Sequence, residues 1–177
     1  MSIVDLQPTL KGQLLELRPL SRTDFESLYA AASDPLIWEQ HPERNRFKKD
    51  VFEGFFLAAI ASKGAFAAID RSSNRVIGSS RFTAYDHSNR RVEIGYTFLE
   101  RSYWGKGFNQ EMKNLMLNHA FQFVNEVHFY IGEENFRSRR AIEKLGAEFV
   151  ERLDRQPKEG AKYTAVIYRL NRASSVL

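Results

Sequence analysis

Apolar residues along this chain change their spacing several times, and each change marks an element. Leu14-Leu15-Glu16-Leu17-Arg18-Pro19-Leu20 reads as a short strand ended by its proline, which cannot donate to a ladder. Ser21 or Thr23 caps the helix that follows, where Phe25, Leu28, Tyr29 and Ala32 recur three and four apart until Asp34-Pro35 stops it. A loop holding Trp38, His41 and Pro42 leads to a second amphipathic helix at about 48–62, with Val51, Phe52, Phe55, Phe56, Ala59 and Ile60 on one side. Three strands come next: Ala65 to Ile69, Arg75 to Tyr85 and Arg91 to Leu99. Their short, turn-rich connections predict an antiparallel meander. Phe108, Met112, Leu115, Met116, His119, Ala120 and Phe123 then place a third helix at about 107–124. Val127 to Ile131 is a strand parallel to the one before that helix, given a right-handed crossover. A fourth helix at about 136–145 ends in Leu145-Gly146, with glycine one place past the cap. Glu148 to Leu153 and Lys162 to Leu170, joined by a turn over 156–160, complete the order β α α β β β α β α β β. The fold class is α+β, in one domain spanning 1–177 with its core at about 14–170 and no internal repeat or linker.

Composition narrows this picture in three ways. A chain of 177 residues that is 43% apolar is long enough to bury a substantial single core. It has no apolar run of membrane-spanning length, and its start, MSIVDLQPTLKGQ, lacks a secretory pattern. Zero cysteines exclude disulfides, thiolate metal sites and Cys nucleophiles, so a cytoplasmic location is expected. The net charge of +4 and pI of about 9.4 raise the question of a nucleic-acid partner. The positives are scattered among 22 acids, however, and an anionic cosubstrate explains them more economically.

The stretch of most chemical interest is Ser102-Tyr103-Trp104-Gly105-Lys106-Gly107-Phe108-Asn109, where a strand gives way to a helix. Two glycines around a lysine expose backbone N–H groups at a helix start, where an anion such as a phosphate binds well. It is not a P-loop, which needs Gly-x-x-x-x-Gly-Lys-Ser/Thr. Nor is it a dinucleotide fingerprint, because position 110 is Gln where a third glycine belongs. A second block, Asn135-Phe-Arg-Ser138 with Gly146 eleven residues beyond the asparagine, follows the next strand.

These two blocks, in this order, resemble the GCN5-related N-acetyltransferase (GNAT) family, whose loop signature is Gln/Arg-x-x-Gly-x-Gly/Ala. The Trp-Gly-x-Gly form is similar to the branch of ribosomal-protein alanine and serine N-terminal acetyltransferases. Ser102 departs from the signature's first position, and Asn109 stands where a small residue is usual. The resemblance implies a mixed, mostly antiparallel, seven-stranded sheet with helices on both faces, its central fourth and fifth strands splayed apart. It also implies transfer of acetyl from acetyl-coenzyme A to a primary amine by direct attack.

Site residues follow residue by residue from that resemblance. The backbone of Trp104, Gly105, Lys106, Gly107, Phe108 and Asn109 would hold the pyrophosphate, and an N–H near Phe98 or Leu99 the developing oxyanion. Asn135 would hold the pantetheine and Arg140 a terminal phosphate. Ser138 would protonate the thiolate, because the family's tyrosine, seven residues past the asparagine, is Ile142 here. Glu93 is the candidate base, and Trp38, Glu39 and His41 lie where the family builds its acceptor wall. No metal is expected: His119 and His128 read as structural. The acceptor would be a small amine or a protein N-terminus, a ribosomal protein included, and a homodimer is a family-level expectation. Two other readings compete: a non-catalytic acyl-coenzyme A sensor, and an RNA- or ribosome-associated module.

Overall fold

A computed structural model describes residues 4–156 and 162–172; from 157 on, the expected turn over 156–160 lies outside them. The sheet has eight strands. In chain order they are β1 (Leu10–Lys11), β2 (Leu15–Pro19), β3 (Ala65–Asp70), β4 (Val76–Asp86), β5 (Arg91–Leu99), β6 (Glu126–Gly132), β7 (Glu148–Arg155) and β8 (Tyr163–Asn171). Their spatial order is β1-β2-β3-β4-β5-β6-β8-β7, and every pair is antiparallel except β5 with β6. Seven strands were expected. The eighth is β1, whose two residues are too few for an alternating pattern to register.

Four helices, α1 (Phe25–Ala32), α2 (Lys49–Ser62), α3 (Phe108–Ala120) and α4 (Phe136–Glu143), cover the two faces. A capping box at Ser21 opens the 3-10 turn Arg22–Asp24 that leads into α1: Asp24 accepts from the Ser21 backbone and also pairs with Arg18 at 2.7 Å. Strand alternation explains the two cores. In β3, Ala65, Ala67 and Ile69 join α1 and α2 with Phe52, Phe56 and Phe98, whereas Phe66 and Ala68 join α3 with Met112, Met116 and Val92. The whole of β3 is therefore buried. The α4 residue Ile142 belongs to the α3 core, so these two helices share a face. Trp38, Phe52, Phe55 and Phe98 form an aromatic cluster with centroids 5.2 to 6.3 Å apart. Such pairs add about 0.5–1.5 kcal/mol each beyond burial, which fixes α2 over the C-terminal end of β5.

The N-terminal turn of α3 is tied to the sheet edge by Glu111. Its carboxylate accepts N–H bonds from Gln13, Leu14 and Leu15 at 2.8 to 2.9 Å, and Gly12 leaves it room. This clamp holds the loop between β5 and α3 in place.

Candidate active site

The parallel ladder between β5 and β6 stops after three registers: Arg91 with Glu126, Val92 with Val127 and Glu93 with His128. Beyond them β5 continues beside β4 as far as Leu99, and β6 beside β8 as far as Gly132, so a cleft opens between their C-terminal halves. A bulge bends β5 within this stretch. Two steps along β4, from Ser79 to Arg81, face three along β5, from Gly95 to Phe98, and Tyr96 takes a left-handed φ of 55°. Past the bulge the ladder resumes, with Glu100 N–H donating to the Ile77 carbonyl at 2.7 Å. Leu99 therefore falls in the place between bonded pairs, with its own N–H and carbonyl turned from β4 toward the cleft. That carbonyl accepts the Trp104 indole N–H at 3.0 Å. Phe98 sits in a bonded place with its ring in the α2 core, so of the two expected backbone donors only Leu99 points into the cleft.

At the mouth, Gly105 (φ 72°) and Gly107 (φ 86°) both take left-handed conformations that side chains oppose. Gly107 is the N-cap of α3 without a side-chain cap, and Lys106 between the glycines is exposed. The N–H groups of Gly105, Lys106 and Gly107 donate to no backbone carbonyl among the described residues, and the first turn of α3 adds its own orphan donors. Anions favour that end of a helix. Phe108 packs edge-on against Tyr103 at 4.9 Å, and Asn109 is half-buried in the first turn. Ser102 donates to Glu100 at 2.6 Å and so is turned away from the loop it departs from.

Across the cleft stands the start of α4. Asn135 caps it, its side-chain oxygen accepting from Ser138 N–H at 3.2 Å. The Ser138 hydroxyl is half-buried and has no hydrogen bond among the described residues, so it is not occupied by its own helix. Of the three arginines here, Arg139 is engaged by Tyr168 and the Glu133 carbonyl. Arg137 bonds the Ile37 carbonyl and stacks 4.0 Å from Trp104, while Arg140 is exposed and has no partner among the described residues. Ile142 is in the core at 2% exposure.

The far face of β5 carries the other candidates. Glu93 is half-buried and forms no hydrogen bond or ion pair among the described residues; burial raises its pKa above the ordinary carboxylate value, against the nearby Arg155 and Arg81 charges. The other wall residues do not behave as one group. Trp38 is core, 2% exposed, with its N–H on the Ala32 carbonyl, and therefore supports the wall without lining it. Glu39 lies near Arg137 at 3.4 Å. His41 is held at a pKa of about 3 by burial and the Arg46 charge, and so is neutral. It borders a cavity of about 290 Å³ between the 40–44 loop and the end of β6, with Pro42, Arg44, Gly132 and Glu133. A hollow of about 350 Å³ over Glu16, Arg18, Ile69 and Arg71 lies across the sheet from the cleft, in a region without splayed strands.

Three charged residues were not anticipated from the sequence. Arg81 on β4 is 5% exposed, stacks 4.1 Å from the Tyr96 ring, and leaves Nε and Nη2 without partners. Arg46 stacks 4.7 Å from Phe55. Lys113 on α3 is 3% exposed and donates to Thr97 and, at 3.4 Å, to Ser80, beneath the bulge; burial lowers its pKa to about 7. The polar run Ser79-Ser80-Arg81 inside a central strand was the signal available for the first. Among the described residues, no group of three His, Cys, Asp or Glu is placed to hold a metal ion, and no helix is long and apolar enough to cross a membrane.

Residues 15–148 match the family described as acetyltransferase (GNAT) domain. Over 124 residues the chain is 33% identical to a Bacillus licheniformis protein called uncharacterized N-acetyltransferase p20, covering 66% of this chain and 68% of that one. The fold superimposes on a GCN5-related N-acetyltransferase from Brucella melitensis with a TM-score of 0.81 at 21% identity, covering 95% of this chain and 80% of that one. A protein described as a ribosomal-protein-serine acetyltransferase from Vibrio cholerae gives 0.77 at 16% identity, with 93% and 97% covered. The spermidine N-acetyltransferase of Vibrio cholerae, in complex with CoA and spermine, gives 0.72 at 18% identity, with 94% and 100% covered.

Proposed function

The chain belongs to the GNAT acetyltransferase family, whose members use acetyl-coenzyme A, and from that premise we propose that it transfers acetyl to a primary amine by direct attack within a ternary complex. The observation that carries this reading is the cleft itself, with unpaired loop amides at one mouth and the unpaired Glu93 on the opposite face. Acetyl-coenzyme A supplies an activated carbonyl and a thiolate leaving group. The amides of 105–109 and the α3 N-terminus bind its pyrophosphate, with Lys106 adding charge and Arg140 reaching a further phosphate. Asn135 orients the pantetheine arm, and the Leu99 N–H stabilises the oxygen where negative charge develops.

Glu93 removes the ammonium proton, directly or through water. Its raised pKa suits that task, because a base works best when its pKa lies near the operating pH. The Ser138 hydroxyl, unbonded among the described residues, donates a hydrogen bond to the departing thiolate, which takes its proton from solvent. The acceptor is a small amine or a protein N-terminus, whose amine of pKa about 8 needs less help than a lysine at about 10.4.

The test is a thiol-release assay over a panel of amines and peptides, run beside calorimetry with acetyl-coenzyme A. We expect acceptor-dependent release, and Glu93→Gln should lower kcat/KM for the acceptor by tenfold or more without weakening acetyl-coenzyme A binding. Binding without release from any acceptor would leave the sensor reading in its place.

A further inference from the structure

On the acceptor face two arginines, Arg46 and Arg81, feel the Glu43 and Glu93 carboxylates but form an ion pair with neither among the described residues. On β4, Arg81 is paired in register with Gly95, and Thr83 with Glu93, so Arg81 and Glu93 are diagonal neighbours on one face of the sheet. The Arg81 guanidinium lies 4.1 Å from the Tyr96 ring and 5.6 Å from the Phe55 ring, whose centroids are themselves 6.3 Å apart. Its Nε and Nη2 are sealed from solvent and have no hydrogen-bond partner among the described residues, as is also true of Glu43 Oε1 in the loop before α2. Leaving charged donors this way costs more than the ring contacts return, unless something else supplies acceptors. A ligand that bonds these atoms must displace the side chains that seal them, of which Tyr96, at the bulge, is 43% exposed.

Arg46, from the loop before α2, stacks on the same Phe55 ring at 4.7 Å. Its one close polar contact among the described residues, His41 Nε2 at 3.2 Å, is not an acceptor. His41 is neutral and takes the Glu43 N–H on Nδ1 at 2.8 Å, so its own proton sits on Nε2 and faces Arg46 as a second donor. Among the described residues, the charged and titratable groups set around Arg46, Arg81 and Glu93 are the Arg155 guanidinium, the Glu43 carboxylate, neutral His41 and the hydroxyls of Tyr96 and Tyr163. No salt bridge within 4.0 Å joins Arg46 or Arg81 to any carboxylate among the described residues.

We propose that Arg46 and Arg81 form a carboxylate site beside Glu93, so that the acceptor is an amine carrying its own carboxylate: an amino acid, a short peptide, or a protein N-terminus with an acidic side chain close by. This rests on the acetyltransferase reading above. The carboxylate supplies the acceptors that Arg81 Nε and Nη2 lack, in the forked geometry a guanidinium binds best, and turns the amine toward Glu93 and the cleft. The two guanidiniums repel a polycation and so disfavour polyamines.

The experiment compares acceptors that differ only in charge, by thiol release at saturating acetyl-coenzyme A. The pairs are amino acids and dipeptides against their C-terminal amides, and amidated tetrapeptides with Glu against Gln at the second position; spermidine serves as the polycation. At least one carboxylate member should exceed its uncharged twin tenfold or more in kcat/KM, chiefly through KM. Arg81→Gln should bring the two within about twofold by weakening the carboxylate member, with Arg46→Gln acting in the same direction, while calorimetry shows acetyl-coenzyme A affinity held within about twofold. If Arg81→Gln fails to fold, the twin comparison in the unaltered protein decides alone. Twins used equally well, or spermidine preferred to every carboxylate, would overturn the site and leave acetyl transfer standing. Release from no acceptor, with acetyl-coenzyme A bound, would end both readings.

Discussion

Replacing Lys113 by methionine removes a buried charge while keeping the shape of the side chain. The ammonium is 3% exposed beneath the β5 bulge, has no carboxylate partner among the described residues, and has its pKa lowered by burial to about 7. Unfolding returns it to about 10.5, so between these values the unfolded chain binds more protons than the folded one. Stability from this group is present above the unfolded pKa and is lost as pH falls through the folded one. From pH 7 to pH 9 the linkage integral gives a gain of about 2 kcal/mol for the protein with lysine, and none for Lys113→Met. The hydroxyls it contacts, Ser80 and Thr97, lie 2.8 Å apart and remain bonded to each other after the change, so the variant leaves no stranded donor. Urea denaturation of both proteins at pH 6, 7, 8 and 9 measures the difference directly. Lys113→Met should be the more stable at pH 7, and the gap should narrow toward pH 9. Stabilities that stay parallel across that range would refute the buried-charge reasoning.

Gly107→Ala forces a side chain into φ 86° at the α3 N-cap; it should cost about 1–2 kcal/mol and raise the KM for acetyl-coenzyme A tenfold or more, read by melting and steady-state kinetics. Glu111→Ala strands the N–H groups of Gln13, Leu14 and Leu15, and should lower stability by about 2–3 kcal/mol in denaturant titration. His41 has a folded pKa of about 3 against 6.5 unfolded, so the protein loses stability as pH falls below 6.5. Between pH 7.5 and pH 5 that loss is about 2 kcal/mol by linkage, and His41→Gln should not show it.

Element type was legible wherever one periodicity ran long enough, as in the α3 stripe of Met112, Met116 and Ala120. The Gly105 and Gly107 loop could be read because positive φ narrows the choice of residue. Charged residues were harder. Arg81 sits in a strand whose alternation tells which face it takes but not that Phe55 and Tyr96, from elsewhere in the chain, enclose it. Lys113 borders the apolar stripe of α3, and helical spacing alone leaves such a lysine at the solvent boundary; the depth of the β4–β5 pair beneath it decides otherwise. Trp38 was expected to line the acceptor wall. The 3-10 turn Pro35–Ile37, capped by Asp34, instead brings it over Phe98. The bulge at Tyr96 leaves no mark in composition, yet it sets which amide of β5 looks into the cleft.

Everything functional rests on backbone donors at 105–109 holding the diphosphate of acetyl-coenzyme A. A ¹H–¹⁵N titration of the labelled protein with that cosubstrate reports each amide separately. The account predicts the largest shifts at Gly105, Lys106, Gly107, Phe108 and Asn109, with Leu99 following. Saturable binding whose shifts spare that loop and cluster elsewhere, or no shifts at millimolar ligand, would contradict it.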